Sequence, residues 1–166
     1  MALLTILQLP DQRLRGHASA VTAFDAKLRK LVDDMFETMY DAPGVGLAAP
    51  QVGIGMRLAV MDCSEQRNER HVMINPELIE RADPLEVDEG CLSVPEVQAQ
   101  VPRFGRVTVR AFGVDGKPFE LSAEGLLAQC VQHEMDHLDG KLFIDYLSRL
   151  KRERIRKRIR KQQRRA

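Results

Sequence analysis

The pentapeptide His133-Glu134-Met135-Asp136-His137 places more demands on the fold than any other stretch of this 166-residue chain. Residues four apart on an α-helix share a face, so one metal ion can take both imidazoles if this segment is helical. Glu134 then lies beside that face, within reach of a metal-activated water as general base. Such a helix has to be partly covered, and the rest of the chain has to wrap it and complete the site. The alternative is a surface helix with two unrelated histidines. Two of only four histidines sit at this spacing around a glutamate, which favours the metal. His17 and His71 lie outside any motif and read as surface or satisfied residues.

A catalytic centre of this kind usually takes three protein ligands, so a third must come from elsewhere. The extended pattern His-Glu-x-x-His-x-x-Gly-x-x-His holds as far as Gly140 and then fails, because Phe143 occupies the last position. Glu153 is the downstream acid, embedded in a basic tail that is a poor place to organise a buried metal. Three cysteines remain, an odd number and too few for a disulfide framework. Cys130 shares the helix with both histidines, but it is roughly 10 Å of helix axis from His137, so it reads as a core or pocket residue. Cys63 ends an apolar strand and reads as core. Cys91 lies in Glu89-Gly-Cys-Leu-Ser-Val-Pro95, where Gly and Pro suit a tightly shaped backbone. Taken alone, Cys91 is a buried thiol or a reactive nucleophile. Beside an incomplete histidine pair, metal ligation becomes the leading reading.

The remaining pattern predicts an α+β fold. Phe24, Leu28, Leu31, Val32, Met35, Phe36 and Met39 form one helical stripe over about 23–40, with Thr22 and Asp25 resembling a capping box. Residues 43–55 are rich in Gly, Ala and Pro and read as a loop. Short β-like runs follow at 56–62, 71–75, 85–88 and 106–112, and Asp115-Gly116 is a hairpin turn signal. Helical spacing returns over 124–138, where Leu126, Cys130 and Leu138 supply an apolar face, and Gly140 suits the helix C-terminus. A basic helix is predicted over about 148–163. With no repeat and no interior linker, residues 1–147 read as one catalytic domain and 148–166 as a helical extension. No apolar run approaches the roughly 20 residues of a membrane span. The first ten residues lack the features of a signal or transit peptide, so a cytoplasmic setting is expected.

The net charge of +1 hides an asymmetry. Residues 149–166 hold 11 Lys or Arg and one acid, net +10, against 14 basic and 23 acidic side chains before them, net −9. Leu147, Leu150, Ile155 and Ile159 give this tail only a narrow apolar seam, thin for membrane insertion. Dense Arg without aromatics suits phosphate contacts, with a solvated charged tail as the equal alternative.

Three segments together, Gly44-Val-Gly-Leu-Ala-Ala-Pro-Gln51, Glu89-Gly-Cys-Leu-Ser93 and Gln132-His-Glu-Met-Asp-His-Leu-Asp-Gly140, resemble the peptide deformylase family. The resemblance covers essentially the whole chain, the basic extension included. It implies a central metal-binding helix surrounded by mainly antiparallel β-sheets, with a further N-terminal and a C-terminal helix. It makes Cys91, His133 and His137 the metal ligands, Glu134 the catalytic acid/base, and the Gln51 amide and Leu92 N–H the oxyanion donors. The backbone at Val45, Gly46 and Gly90 would bind an extended peptide, with Val45, Val87, Leu126 and Cys130 around its Met side chain. Glu89 would pair with Arg103 to brace the Cys91 loop. Asp136 is a candidate to orient a ligand histidine, with a solvent-facing acid as the alternative. The implied activity is hydrolysis of the formyl group from the formyl-Met of nascent polypeptides by a metal-activated water. Fe²⁺ is the expected metal, with Zn²⁺, Ni²⁺ or Co²⁺ as substitutes. The implied partner is the ribosome, rRNA and protein near the polypeptide exit, met through the tail. Gln98 and Gln129 depart from the family pattern, where an Arg and an apolar residue are expected. A zinc endopeptidase leaves Gln51 and Cys91 unexplained. A ribosome-binding module with a structural metal needs a fourth protein ligand that the sequence does not offer.

Overall fold

A computed structural model describes residues 2–165. The first helix, α1 (Ala26–Asp41), starts later than the apolar stripe suggests. Its cap is Asp25, whose side chain accepts from Leu28 N–H at 3.0 Å, and Thr22 has no capping role. The chain then forms strand β1 (Gly46–Ala48), a 3₁₀ turn over Ala49–Val52, and strand β2 (Leu58–Met61). The predicted 43–55 loop therefore hides a three-residue strand. Two long strands follow, β3 (His71–Cys91) and β4 (Val94–Phe112), then β5 (Pro118–Glu124). All five join in one antiparallel sheet in chain order.

The two separate runs predicted at 71–75 and 85–88 are ends of the single strand β3. Pro76 and Pro84 look like breaks, but the ladder absorbs them: Asn75 and Asp83 take left-handed φ values of 52° and 61°. Register shifts lie between Ile74 and Glu77 and again between Leu78 and Glu80, bending the strand rather than ending it. The 115–116 turn is as expected, with Gly116 at φ 78°.

Helices cover both faces of the sheet. Along β2, Leu58 and Val60 join one buried cluster with Leu28, Val32, Met35, Phe36 and Met39 of α1. Ala59 and Met61 join the other, with Ala128, Val131 and Leu138 of helix α2 (Gly125–Leu138). A strand buried on both faces must be apolar throughout, which is why Leu-Ala-Val-Met does not alternate. The buried stripe of α2 is Ala128, Val131 and Leu138. Leu126, expected on that apolar face, is exposed. Helix α3 (Arg149–Arg165) is held to the body by Ile155 and Ile159, which pack with Leu142, Phe143, Ile144 and Leu147. Gln162 Nε2 also donates to Glu96 at 3.0 Å. Ten of its eleven basic residues are exposed, and Arg152 is half-buried. Among the described residues, no helix is long and apolar enough to cross a membrane.

Candidate metal centre and active site

α2 runs through the core with His133 and His137 one turn apart, and their Nε2 atoms lie 3.2 Å from each other. Cys91 arrives from the sheet. It pairs with Val94 across the two-residue Leu92-Ser93 turn that joins β3 to β4. Its Sγ lies 3.4 Å from His137 Nε2 and accepts from Ser93 N–H at 3.4 Å. The three ligand-type atoms all fall within 4.8 Å of one another.

The donor set fits a metal ion. His133 Nδ1 is 2.7 Å from Glu89 Oε1. A carboxylate there holds the proton on Nδ1 and turns the Nε2 lone pair toward His137 and Cys91. One sulfur and two imidazole nitrogens, converging from a rigid helix and a tight turn, suit a centre with one position left open. Burial pulls both histidines down. In His133 the Glu134 charge and contacts with Cys91 and Glu89 outweigh burial, so it rises well above its ordinary value. His137 falls well below its own, through burial first and the positive field of His133 second.

Behind the ligands lies a buried ionic brace. Arg103 Nε donates to Glu89 Oε2 at 2.5 Å and Nη2 to Oε1 at 2.8 Å, as the sequence suggested. Burial favours a neutral Glu89, but the Arg103 and His133 hydrogen bonds outweigh it and hold the carboxyl at about 2. The Asp136 carboxylate makes no hydrogen bond to either histidine. It accepts from Arg103 Nη1 at 2.7 Å and from the Tyr146 hydroxyl at 2.8 Å, so it braces Arg103 instead. Burial and the Asp136 charge push the Tyr146 phenol up to about 12. Replacing the charged acceptor of His133 by a neutral one should loosen the metal. Glu89→Gln is expected to weaken metal affinity by about 10–100-fold, read by chelator competition; unchanged retention would take Glu89 out of the metal's support.

Glu134 makes no hydrogen bond to this brace and lines the cavity. Burial pushes its carboxyl up to about 7, with the His133 charge opposing. Its Oε2 lies 3.8 Å from Cys130 Sγ, and Oε1 has no protein partner. β1 passes directly over it. A Cβ on Gly46 would lie 2.5 Å from Glu134 Oε2 and 2.7 Å from Cys130 Sγ, so only glycine lets the strand approach. Gln51 is fixed at both ends of its amide. Oε1 accepts from Ala48 N–H at 2.9 Å, and Nε2 donates to Ser93 Oγ at 3.1 Å, 3.7 Å from Cys91 Sγ.

A cavity of about 680 Å³ opens on these groups. Val45, Gly46, Gln51, Gly90, Cys91, Leu92, Leu126, Cys130, His133 and Glu134 line it, while His137 is buried beneath. Val87 is not among the lining residues. It packs with Val94, Val97 and Val101 in the cluster under α3, which corrects the pocket expected from sequence. Gln98 and Gln129 both reach the cavity, and Gln129 Nε2 donates to Asp88 O at 2.9 Å. Sequence reasoning gave no role to Ser93, which is fully buried between Gln51 and Cys91. Its position in the Glu89–Ser93 segment was the available signal. Ala48 likewise lies in the Gly44–Gln51 segment, while Tyr146 carried no signal.

The family model for polypeptide deformylase matches residues 3–153. Among solved structures, a peptide deformylase from Legionella pneumophila is 51% identical with a TM-score of 0.93, over 98% of this chain and 96% of that one. One from Ehrlichia chaffeensis, in complex with actinonin, is 38% identical with a TM-score of 0.93, over 98% of each chain. One from Thermotoga maritima is 43% identical with a TM-score of 0.84, over 88% of this chain and 98% of that one. A family match spanning both the helix with its histidine pair and the Cys91 turn, with the same fold at up to half-identical sequence, means that this chain belongs to the polypeptide deformylase family.

Proposed function

We propose that this chain removes the formyl group from the formyl-Met end of nascent polypeptides, using Glu134, Gln51 and Leu92 around a metal held by Cys91, His133 and His137. The family is metal-dependent, and Fe²⁺ is the metal we assign, with Zn²⁺, Ni²⁺ or Co²⁺ as substitutes. When bound, the ion supplies a Lewis acid that polarises the formyl carbonyl and acidifies a water. Glu134 takes the proton of the attacking water on its carboxylate. It then delivers that proton to the departing amine nitrogen as the C–N bond breaks, freeing formate. A carboxyl at about 7 suits both halves of this shuttle near neutral pH. The developing oxyanion accepts from Gln51 Nε2–H, which the Ala48 anchor aims at the centre, and from the Leu92 backbone N–H. Val45, Gly46 and Gly90 hold the peptide backbone, and Val45, Leu126 and Cys130 receive the Met side chain. Actinonin, bound by the Ehrlichia relative, is expected to compete for the same cavity.

The observation carrying this reading is the convergence of three ligand-type atoms within 4.8 Å beside a buried glutamate and an anchored amide. Anaerobic formate release from a formyl-Met tripeptide by Fe²⁺- or Ni²⁺-loaded protein tests it. Cleavage of unformylated peptides with no formate release would replace it with an endopeptidase.

The α3 surface is the proposed ribosome contact, in the cytoplasm. Its support is ten exposed basic residues on a helix fixed to the body by Ile155 and Ile159, among them Lys157, Lys161 and Arg164. Co-sedimentation with ribosomes should be salt-sensitive and vanish when residues after Leu150 are deleted. The triple variant Lys157→Glu, Lys161→Glu, Arg164→Glu keeps the docked isoleucines, and should flatten the salt slope by about one unit per lost phosphate contact. Unchanged binding by both would remove the tail from docking.

A further inference from the structure

Cys63 and Cys130 have no part in holding the metal, yet they meet under the catalytic cavity. Cys130 Sγ lies 3.7 Å from Val45 O and 3.8 Å from Glu134 Oε2. Cys63 comes from the other side. It follows Asp62, whose N–H donates to that same Val45 carbonyl at 2.9 Å, and it packs into the apolar cluster that contains Cys130. The exit of β2 and the metal helix thus meet at the Val45 carbonyl, in one cluster that holds two free thiols, half-buried Cys63 and buried Cys130. Each alters the other. The Cys130 S–H draws the Cys63 thiol down, while Cys63 and then burial push Cys130 up. An accessible thiol with an enhanced thiolate fraction beside a buried protonated one is the arrangement of an attacking and a resolving cysteine.

We propose that Cys63 and Cys130 are a peroxide-sensitive pair that closes to a disulfide in the cavity floor and reversibly arrests the enzyme. The inference rests on the deformylase reading for what is arrested, but not for the bond itself. The Cys63 thiolate attacks one oxygen of hydrogen peroxide, giving a sulfenic acid and releasing hydroxide. That hydroxide takes the Cys130 proton and leaves as water. The Cys130 thiolate then attacks the Cys63 sulfur, and the sulfenic hydroxyl departs as hydroxide, which the protein's own lost Cys63 proton neutralises to a second water. Two thiols are oxidised by two electrons and one peroxide is reduced. Closure pulls the Cys130 sulfur off Val45 and Glu134, two groups whose positions the proposed chemistry needs. A shift of about 1 Å at a reacting centre can cost about 10²-fold in rate.

The test uses the full chain loaded with zinc, which is not itself redox-active. The three cysteines fall in three different tryptic peptides: Cys63 in 58–67, Cys91 in 82–103 and Cys130 in 111–141. After a small excess of hydrogen peroxide, non-reducing mass spectrometry should find 58–67 joined to 111–141. Formate release should fall by about 10²-fold and return with dithiothreitol. Cys63→Val should keep its activity before treatment, form no link and resist the peroxide. Oxidation confined to 82–103, or a Cys63→Val protein arrested as readily as the parent, would overturn the proposal. A linked peptide in a protein that releases no formate even before treatment would instead overturn the deformylase reading and leave the thiol pair in place.

Discussion

Glu134→Gln is expected to lower formate release by about 10²–10⁴-fold while leaving metal content near that of the parent protein. The amide matches the carboxyl in shape and sits where the buried glutamate sits, but it neither accepts the water proton nor returns one. None of the three ligand-type atoms belongs to Glu134, so a chelator assay should read near-normal retention. The substitution also has a signature in stability. Burial raises the folded carboxyl from 4.5 to about 7, so the stability of its neutral form is present below about 4.5 and lost as pH rises through about 7. Glutamine is neutral throughout. The melting temperature of the metal-stripped variant should therefore gain on that of the metal-stripped parent between those two pH values. Turnover within a few-fold of the parent would remove Glu134 from proton transfer, whatever the melting curves show.

Gln51→Leu should reduce kcat/KM by about 10²–10³-fold. Leucine keeps the bulk but cannot donate to a developing oxyanion. It also strands the Ala48 N–H, which Gln51 Oε1 now satisfies at 2.9 Å, at a stability cost of about 1–3 kcal/mol. Gln51→Glu separates the two effects, since it keeps the acceptor for Ala48 and replaces the donor end with an acidic oxygen. If donation is what matters, both variants lose turnover, while only the leucine variant also loses thermal stability through Ala48. Two active variants would dismiss Gln51 from the chemistry. An inactive leucine variant beside an active glutamate variant would reduce Gln51 to a structural strut.

What the sequence made legible was governed by short-range geometry. The i,i+4 histidines demanded a helix, and α2 supplies it over Gly125–Leu138. Cys91 was singled out because Gly90 and Pro95 framed it and the helix lacked a third ligand. The misses have a different origin. Thr22 and Asp25 are both competent caps, and the one used is Asp25, whose side chain accepts from Leu28 N–H. Pro76 and Pro84 punctuate a sequence but not β3, because β4 beside it holds the bulged ladder together. Val87 looks like a pocket residue until the β3–β4 pairing turns it toward the cluster beneath α3. The link from Asp136 to Arg103 spans 33 positions, and no local pattern announces it.

The close passage of β1 over Glu134 also divides the cavity by how freely it can diverge. At Gly46 every side chain collides with the Glu134 carboxylate and a buried sulfur, so no single substitution there is neutral. At Gly44, two residues away, the one close approach of an added Cβ is to the tip of the Leu92 side chain, which can swing aside. Gln98, Leu126 and Gln129 line the same cavity with their side chains and have no strand backbone pressed against them in this way. Under selection by a cavity-filling inhibitor, escape should therefore accumulate at those rim positions. A ligand that gains its affinity against the β1 backbone at Gly46 would leave the lineage few viable routes away from it.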